Sequence, residues 1–206
     1  MRVLYIDTST SYLYAGIVNN DHIDSEIKEE LGCNLSRDAL PLIAEMFDKC
    51  HMNPRDIDKI IVVNGPGSFT GIRVGLTIAK VYAWTLNIPI TSILSLEAMA
   101  CINDKTVKVP IVDALKGNVY AAIYNGDKEI LKPCHISIDK LKERLKEIEN
   151  YTVISKNKYD IGGNLCEYDP DILSIVKKYV EKSNISSHLV NPEYLKLSSA
   201  EEAKRN

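Results

Sequence analysis

The sequence predicts a mixed α/β fold that is built as two similar halves. In each half, strand-like runs joined by short turns come first, which favours antiparallel pairing, and helical segments then separate the later strands. The polar stretch 103–105 divides the halves, so we expect an N-terminal subdomain at residues 1–102 and a smaller C-terminal subdomain at 106–206. This order suggests an internal duplication, although the sequence shows no clear repeat.

In the first half, apolar runs and turn residues predict three strands, a helix, a strand, a second helix, a strand and a short helix. The strands are expected at 3–6, 12–18, 23–31, 60–63 and from residue 88 onward. The two long helices are expected at 34–50 and 68–86, where apolar residues recur every three or four positions. Ser95 is expected to cap the short helix, which runs to Cys101.

In the second half, the same reasoning predicts strands, one charged helix and one amphipathic helix. The strands are expected at 107–112, 119–124, 129–138 and 152–155. Asp139 is expected to cap the charged helix, which runs to Glu149, and the last helix spans 171–181. Gly162 and Gly163 mark a turn, and the polar tail after the final motif is expected to fray.

The composition is typical of a soluble globular protein, with 45% hydrophobic and 26% charged residues. A net charge of −3 argues against a strong grip on nucleic acid by this chain alone. The five scattered cysteines form no Cys-x-x-Cys pair, which favours reduced thiols in a cytoplasmic protein. The start of the chain does not resemble a signal peptide, and no apolar run is long enough to span a membrane.

The glycine-rich segment from Asn64 to Gly75 joins a strand to the second long helix. Gly65 and Gly67 permit unusual backbone angles, and Ser68 or Thr70 can cap the helix. A helix N-terminus of this kind could hold an anion. The alternative, which the turn by itself favours, is that the glycines only allow a sharp turn and close packing of the helix.

Both long helices of the first half carry two apolar stripes, whereas a helix that covers a sheet needs only one. Either each helix is buried between layers, or its second face meets a partner, and the pattern alone does not decide between these. The residues predicted to form a partner interface lie on the first stripe of each helix: Leu35, Ala39, Leu42, Met46, Ile72, Leu76, Ala79 and Ala83.

Four segments together resemble the TsaB (YeaZ) family, and they follow one another in the expected order. The glycine-rich run at 65–75 is the most specific of them, and 5–10 resembles the first phosphate loop of the actin and sugar-kinase superfamily. The run 113–122 is similar to the Asp-Ala-Arg-x-x-x-Val-Tyr motif, and its basic residue is Lys116, one position after that of the motif's arginine. The run 192–196 is similar to the Pro-x-Tyr-Leu-Arg ending.

The resemblance implies an actin-like, sugar-kinase-like (ASKHA, ribonuclease-H-like) duplicated fold. It also implies a non-catalytic scaffold in tRNA threonylcarbamoyladenosine (t6A) modification. The implied partners are a TsaD-type transferase, bound through the two long helices, and a TsaE-type ATPase. In this family tRNA is met only through the complex, the chain alone forms a homodimer, and ATP or ADP is expected only at the partner interface.

The sequence predicts neither a catalytic site nor a metal site. No two of the four histidines, His22, His51, His135 and His188, lie within four residues of one another, whereas TsaD binds its metal through a His-x-x-x-His helix. The residues at strand ends and turns suggest only a vestigial phosphate site or a turn site. Its candidate residues are Asp7, Thr8, Ser9, Gly65, Gly67, Ser68, Thr70, Arg73 and Asp113.

Two other functions are alternatives to the scaffold role. A small-molecule kinase or ATPase of the actin-like superfamily would use Asp7 and Asp113 for Mg²⁺, phosphate or a proton. However, Thr8 and Ser9 stand where a kinase typically has glycine. A glycoprotease is least favoured, because the sequence has no recognisable Ser-His-Asp order, no His-Glu-x-x-His, and no cysteine with a suggestive histidine partner.

Overall fold

The computed structural model describes residues 1–195, which form two units. Unit 1 consists of residues 1–102 and 170–192, and unit 2 contains residues 103–169 and 193–195 of the described chain. The chain passes from one unit to the other at the polar stretch that we expected to divide the halves. Residues 170–192, however, belong to unit 1, and not to the C-terminal subdomain as predicted. Lys196 of the final motif and the polar tail lie outside the described residues.

Unit 1 contains a five-stranded sheet with the strand order β3-β2-β1-β4-β5. Its strands are β1 (Arg2–Asp7), β2 (Tyr12–Asn19), β3 (His22–Glu30), β4 (Lys59–Val63) and β5 (Ile90–Ile93). The first three strands pair antiparallel, while β4 and β5 pair parallel to β1 and to each other. The parallel strands need crossover connections, and the helices of this unit provide them.

Three helices follow the strands of unit 1: α1 (Leu35–Lys49), α2 (Phe69–Leu86) and α3 (Ser95–Met99). Short 3₁₀ helices lie at Gly32–Asn34, Pro54–Asp56 and Ser187–Leu189. The buried stripes of α1 and α2 pack on one face of the sheet, where Ile43 and Ile72 join a core that includes Leu4 and Ile60. The core of unit 1 therefore lies between this pair of helices and the sheet.

Unit 2 contains a second five-stranded sheet, with the order β10-β9-β6-β7-β8. Its strands are β6 (Val107–Asp113), β7 (Asn118–Asn125), β8 (Lys128–Ser137), β9 (Tyr151–Ser155) and β10 (Asn164–Glu167). Again three antiparallel strands are followed by two parallel ones, so the two sheets share one topology. The predicted duplication is therefore present in the fold, which is the actin-like (ASKHA) fold. Helix α4 (Ile138–Leu145) contributes Leu141 and Leu145 to the core of this unit.

The last helix, α5 (Ile172–Tyr179), packs on the other face of the sheet of unit 1. A Cβ atom at Gly16 of β2 would lie 2.9 Å from Cγ2 of Ile172, so helix and strand are in close contact. The Lys59 ammonium donates to the carbonyl oxygens of Val180 (2.7 Å) and Lys182 (2.9 Å), and Ile185 forms an antiparallel bridge with Ile90. These bonds fasten the returning segment to unit 1.

Three local predictions need correction. Ser95 does not cap α3 but lies inside it and donates to Pro66 O (2.5 Å). Ser137, and not Asp139, caps α4 by accepting from Lys140 N, and the helix ends at Leu145 instead of residue 149. β10 was not predicted, because a short and mostly exposed edge strand carries no run of apolar residues.

Among residues 1–195, no helix has the length and apolarity needed to cross a membrane.

Candidate functional site

The turn that follows β1 is held against the start of α2. Thr8 Oγ1 donates to Gly71 O (2.7 Å) and accepts from Gly75 N (3.1 Å). The carbonyl oxygen of Ser9 accepts from Ser68 N (2.7 Å). The first motif and the glycine-rich motif therefore bind each other directly.

Three glycines make this contact possible. A Cβ atom at Gly67 would overlap Ser9 O, one at Gly71 would overlap Thr8 O, and one at Gly75 would overlap Thr8 Oγ1. Gly67 also has a φ of +158°. This value lies near the limit of the region that favours glycine, so the close contact with Ser9 is the stronger reason for a glycine here. The interpretation that the glycines serve close packing thus explains Gly67, Gly71 and Gly75 without a bound anion.

The residues of the predicted phosphate loop are buried, and they form hydrogen bonds within the protein. Asp7, Thr8 and Ser9 have at most 2% of their surface exposed. Asp7 Oδ1 accepts from Ser9 N (2.8 Å), the bond by which an aspartate closes a turn on its own backbone. Thr8 Oγ1 instead bonds to α2 and Ser9 N bonds to Asp7, so neither of these two groups is free to bind a phosphate.

Asp113 closes a similar turn in unit 2, where its Oδ1 accepts from Leu115 N (2.9 Å). Leu115 and Lys116 both have positive φ values, +65° and +54°, which is unusual for residues other than glycine. Gly117 follows with a φ of +75°. Asp113 is therefore engaged as a turn carboxylate, as the alternative interpretation of the sequence predicts.

The remaining residues of the predicted turn site lie around the start of α2. Gly65 has a φ of +117° and precedes a cis peptide bond to Pro66. Ser68 caps α2 by accepting from Gly71 N (3.2 Å), as the sequence predicts, whereas Thr70 is exposed. The exposed Arg73 guanidinium stacks on the Phe69 ring at 3.7 Å, so it lies on the outer surface of the helix and not in the turn.

The predicted interface residues do not form the outer surface of α1 and α2. All of them except the half-buried Leu42 are buried in the core of unit 1: Leu35, Ala39, Met46, Ile72, Leu76, Ala79 and Ala83. Their side chains are in the chain's own interior and cannot reach a partner while this fold is kept. The prediction that these residues form the interface is therefore wrong. That a partner binds to α1 and α2 stays a prediction.

Four large apolar side chains do lie exposed on the two helices, and we call their surface the α1–α2 face. These are Leu40 (49% exposed), Phe69 (57%), Val81 (55%) and Trp84 (67%). Leu40 and Val81 belong to the second stripes seen in the sequence, but their stripe-mates Ile43 and Ile78 are buried. The signal was present in the sequence, but helical periodicity does not tell which side of a broad apolar stripe faces the sheet.

A groove of about 470 Å³ runs across the α1–α2 face. Its walls include Leu40 of α1 and Phe69, Arg73 and Val74 of α2. Because α2 contains no aspartate or glutamate, this groove is apolar with hydroxyl and basic groups around it. Such a surface can bind an apolar segment of another protein.

The histidine, cysteine and acidic side chains of the described chain do not form a metal site. Within residues 1–195, no group of three or more His, Cys, Asp or Glu side chains is placed to hold a metal ion. His22 pairs with Asp24 (2.9 Å), while the His135 ring is tilted against Tyr120 and the His188 ring meets Trp84 edge-on. Burial raises the pKa of the Cys134 and Cys166 thiols, which makes these thiols poorer nucleophiles at neutral pH.

Comparison with known proteins gives matches over most of the chain. A family model described as TsaD, tRNA N6-adenosine threonylcarbamoyltransferase, matches residues 29–169. The tRNA threonylcarbamoyladenosine biosynthesis protein TsaB of Bacillus subtilis is 33% identical over 98% of this chain and 96% of its own length. TsaB of Escherichia coli is 30% identical over 62% of this chain and 57% of its own length.

Solved structures show the same fold. An uncharacterized protein from Pseudomonas aeruginosa with similarity to peptidase YeaZ superposes with a TM-score of 0.79 at 17% identity, covering 95% of this chain and 99% of that chain. YeaZ from Pseudomonas aeruginosa superposes with a TM-score of 0.75 at 16% identity, covering 94% and 99%. With one-third identity to a TsaB over nearly its whole length, a matching family model and this shared fold, the chain belongs to the TsaB (YeaZ) family.

Proposed function

We propose that this protein takes part in tRNA threonylcarbamoyladenosine biosynthesis as a non-catalytic subunit that binds a TsaD-type transferase. The proposal rests on the exposed apolar residues of the α1–α2 face. It is supported by the name of the Bacillus subtilis relative, which the chain matches over nearly its whole length. The scaffold acts in the cytoplasm, and a TsaE-type ATPase joins the pair.

The α1–α2 face supports binding to a folded partner. Burying a large apolar side chain that was exposed contributes roughly 1.5–3 kcal/mol, so four such residues on two adjacent helices supply much of the free energy of a stable interface. Trp84 and Phe69 are of the aromatic type that often dominates binding. Without a partner, the same face pairs with a second copy of the chain.

The non-catalytic role is supported by the turn after β1. The Asp7 carboxylate and the Thr8 hydroxyl are buried and bonded to the chain itself, and the glycines serve helix packing. We therefore expect ATP or ADP, if present at all, only where the transferase meets the chain. The net charge of −3 suits a subunit that contacts tRNA only through the complex.

The interface is tested by Trp84→Asp and Val81→Asp. Each places a charge on the α1–α2 face and leaves the core residues unchanged. The expected result is at least a tenfold weaker complex with the cognate TsaD, measured by calorimetry and size exclusion. The matched control is Ile130→Asp, at an exposed apolar residue of β8 in unit 2 that lies outside the α1–α2 face. Full binding by the Trp84 and Val81 variants would place the interface elsewhere. Leu76 and Ala79 are unsuitable for this test, because both are buried and a charge there would unfold the protein.

The role in modification is tested by reconstituting the reaction from the cognate synthase, TsaD and TsaE, with and without this chain. Modified tRNA that forms only when the chain is added supports the proposal, and equal modification without it contradicts the proposal. The kinase alternative instead requires Mg²⁺-dependent ATP binding by the isolated chain that is lost in Asp7→Ala. Calorimetry that shows no heat with Mg²⁺-ATP removes this alternative.

A further inference from the structure

A second recess lies in unit 1, where α1 ends beside the first strands of the sheet. Its volume is about 490 Å³, which is within the range of small-molecule sites. The charged side chains in its wall are Arg2, Asp24, Lys49 and Asp56, and His51 also lines it. The recess plays no part in the proposed function, since it is separate from the α1–α2 groove.

Arg2 is held in place, but its side chain lacks a partner. Its backbone N–H donates to Asp58 Oδ2 (2.7 Å), and its carbonyl oxygen accepts from Asp58 N (2.9 Å). Within residues 1–195, the guanidinium Nε is buried and has no hydrogen-bond partner. A buried donor without a partner is unfavourable, and Arg2 lines the recess, so an acceptor that enters there can bond to the guanidinium group.

The other charges of the recess are both positive and negative. Lys49 lies 4.0 Å from Glu45, at the limit of an ion pair, and its ammonium is mostly exposed. Asp24 accepts from His22 (2.9 Å) and Asp56 from Asn53 N (2.8 Å), and each carboxylate keeps further acceptor positions. With two basic and two acidic residues, the recess is electrically balanced and does not favour a simple anion or a simple cation.

The recess also lies at the C-terminal end of α1, the end of the helix dipole that carries a partial negative charge. A ligand group that is positive is favoured there and beside Asp24, whereas a carboxylate is favoured at the Arg2 guanidinium, whose planar donors match its two oxygens. Met52 and Cys50 add a small apolar part to the wall.

We propose that this recess binds a small zwitterion of the α-amino-acid class. The carboxylate of the ligand accepts from Arg2 and Lys49, and its ammonium donates to Asp24. The contact with Met52 and Cys50 leaves room for a short side chain. The proposal is independent of the role in tRNA modification, because it needs neither the α1–α2 face nor a partner.

The test is a titration of the full chain, tagged at its C-terminus, with L-alanine, followed by two-dimensional NMR of the amide groups. We expect saturable shifts in residues around the recess at millimolar concentration. N-acetyl-L-alanine lacks the ammonium and L-alanine methyl ester lacks the carboxylate, so each should bind at least tenfold more weakly. Equal binding of either analogue would overturn the zwitterion, as would the absence of saturation with L-alanine.

Variants then connect the binding to the residues. Arg2→Gln and Lys49→Gln should each weaken L-alanine binding at least fivefold while the amide spectrum shows an intact fold. The matched control is Lys177→Gln, which removes a lysine of unit 1 that pairs with Asp21 (2.9 Å) outside the recess wall. Unchanged affinity in both recess variants would overturn the assignment.

Discussion

The two sheets share one topology, but their parallel strands are connected in different ways. In unit 1, the connection from β4 to β5 contains α2, a helix of 18 residues that lies on the sheet. In unit 2, the connection from β9 to β10 consists of residues 156–163 and contains no helix. The long outward-facing helix is therefore present in only one copy of the repeated sheet, and the proposed partner surface exists only there.

The helices that do belong to the second half of the chain also differ in use. Helix α4 covers the core of unit 2 with eight residues, whereas α5 leaves that unit and packs on unit 1. The strand order is therefore the feature that the two halves have in common. The helices around it can be lost or reassigned, because a sheet needs covering but does not specify which segment covers it.

The largest expected effect comes from the close contact of α2 with the turn after β1, which has no counterpart in unit 2. Gly71→Ala forces a Cβ atom onto Thr8 O, and we expect the free energy of unfolding to fall by about 2–4 kcal/mol in urea denaturation. The control is Gly126→Ala in unit 2, where a Cβ atom meets nothing within 4 Å and only the positive φ of +59° costs about 1 kcal/mol. Equal losses in the two variants would contradict this difference between the units.

A smaller effect is expected from the first residue of the fourth strand in each sheet. In unit 1, Lys59→Met removes the two bonds to the carbonyl oxygens of Val180 and Lys182, and we expect a loss of about 2 kcal/mol. In unit 2, Tyr151→Phe removes one bond to Ile161 O, and we expect about 1 kcal/mol.

Both losses are measured as shifts of the urea midpoint, and limited proteolysis shows which segment opens. The Lys59 variant should expose residues 170–192 to protease, whereas the Tyr151 variant should not. Protection of that segment in both variants would show that Lys59 does not hold it.

The smallest effect concerns Asp104, at the start of unit 2. Its carboxylate accepts from Thr152 Oγ1 (2.6 Å), Thr106 Oγ1 (2.7 Å) and Thr106 N (2.9 Å), and these bonds lower its pKa from 3.8 to about 2. Because the folded pKa lies below the unfolded one, the stabilisation is present above pH 3.8 and is lost as the pH falls to 2. Asp104→Asn should lack this part of the acid dependence, at a cost of roughly 1 kcal/mol at pH 7.

The acid dependence is followed by urea unfolding at pH 7, 4 and 2. Asp113→Asn serves as the comparison, since that carboxylate bonds one backbone N–H in an exposed turn. If the wild type and the Asp104 variant lose stability in parallel between pH 4 and 2, the threonine bonds do not stabilise the charged carboxylate.

Much of the fold follows from local patterns in the sequence. The antiparallel strands, both long helices and the Ser68 cap all lie within a few residues of their predicted places, because apolar periodicity and turn residues act over short distances. The same patterns missed β10, whose pairing with β9 is specified by a distant strand and not by its own exposed residues.

The candidate site was less predictable, because it depends on which side of each helix meets the sheet. Leu76 and Ala79 were predicted to face a partner and are buried, while Trp84 was not singled out and is the most exposed apolar residue of α1 and α2. Two apolar stripes on one helix satisfy the same periodicity, so only packing on the sheet distinguishes the inner stripe from the outer one.

By itself, the sequence determined the duplicated α/β class, the turn chemistry of Asp7 and Ser68, and the family, since each depends on residues that lie close together in the chain. Only the tertiary structure decided that Thr8 packs on the glycines of α2, that 170–192 returns to unit 1, and that Phe69 and Trp84 form the outer face. These facts depend on contacts between residues far apart in sequence, and such contacts become defined only when the whole core packs.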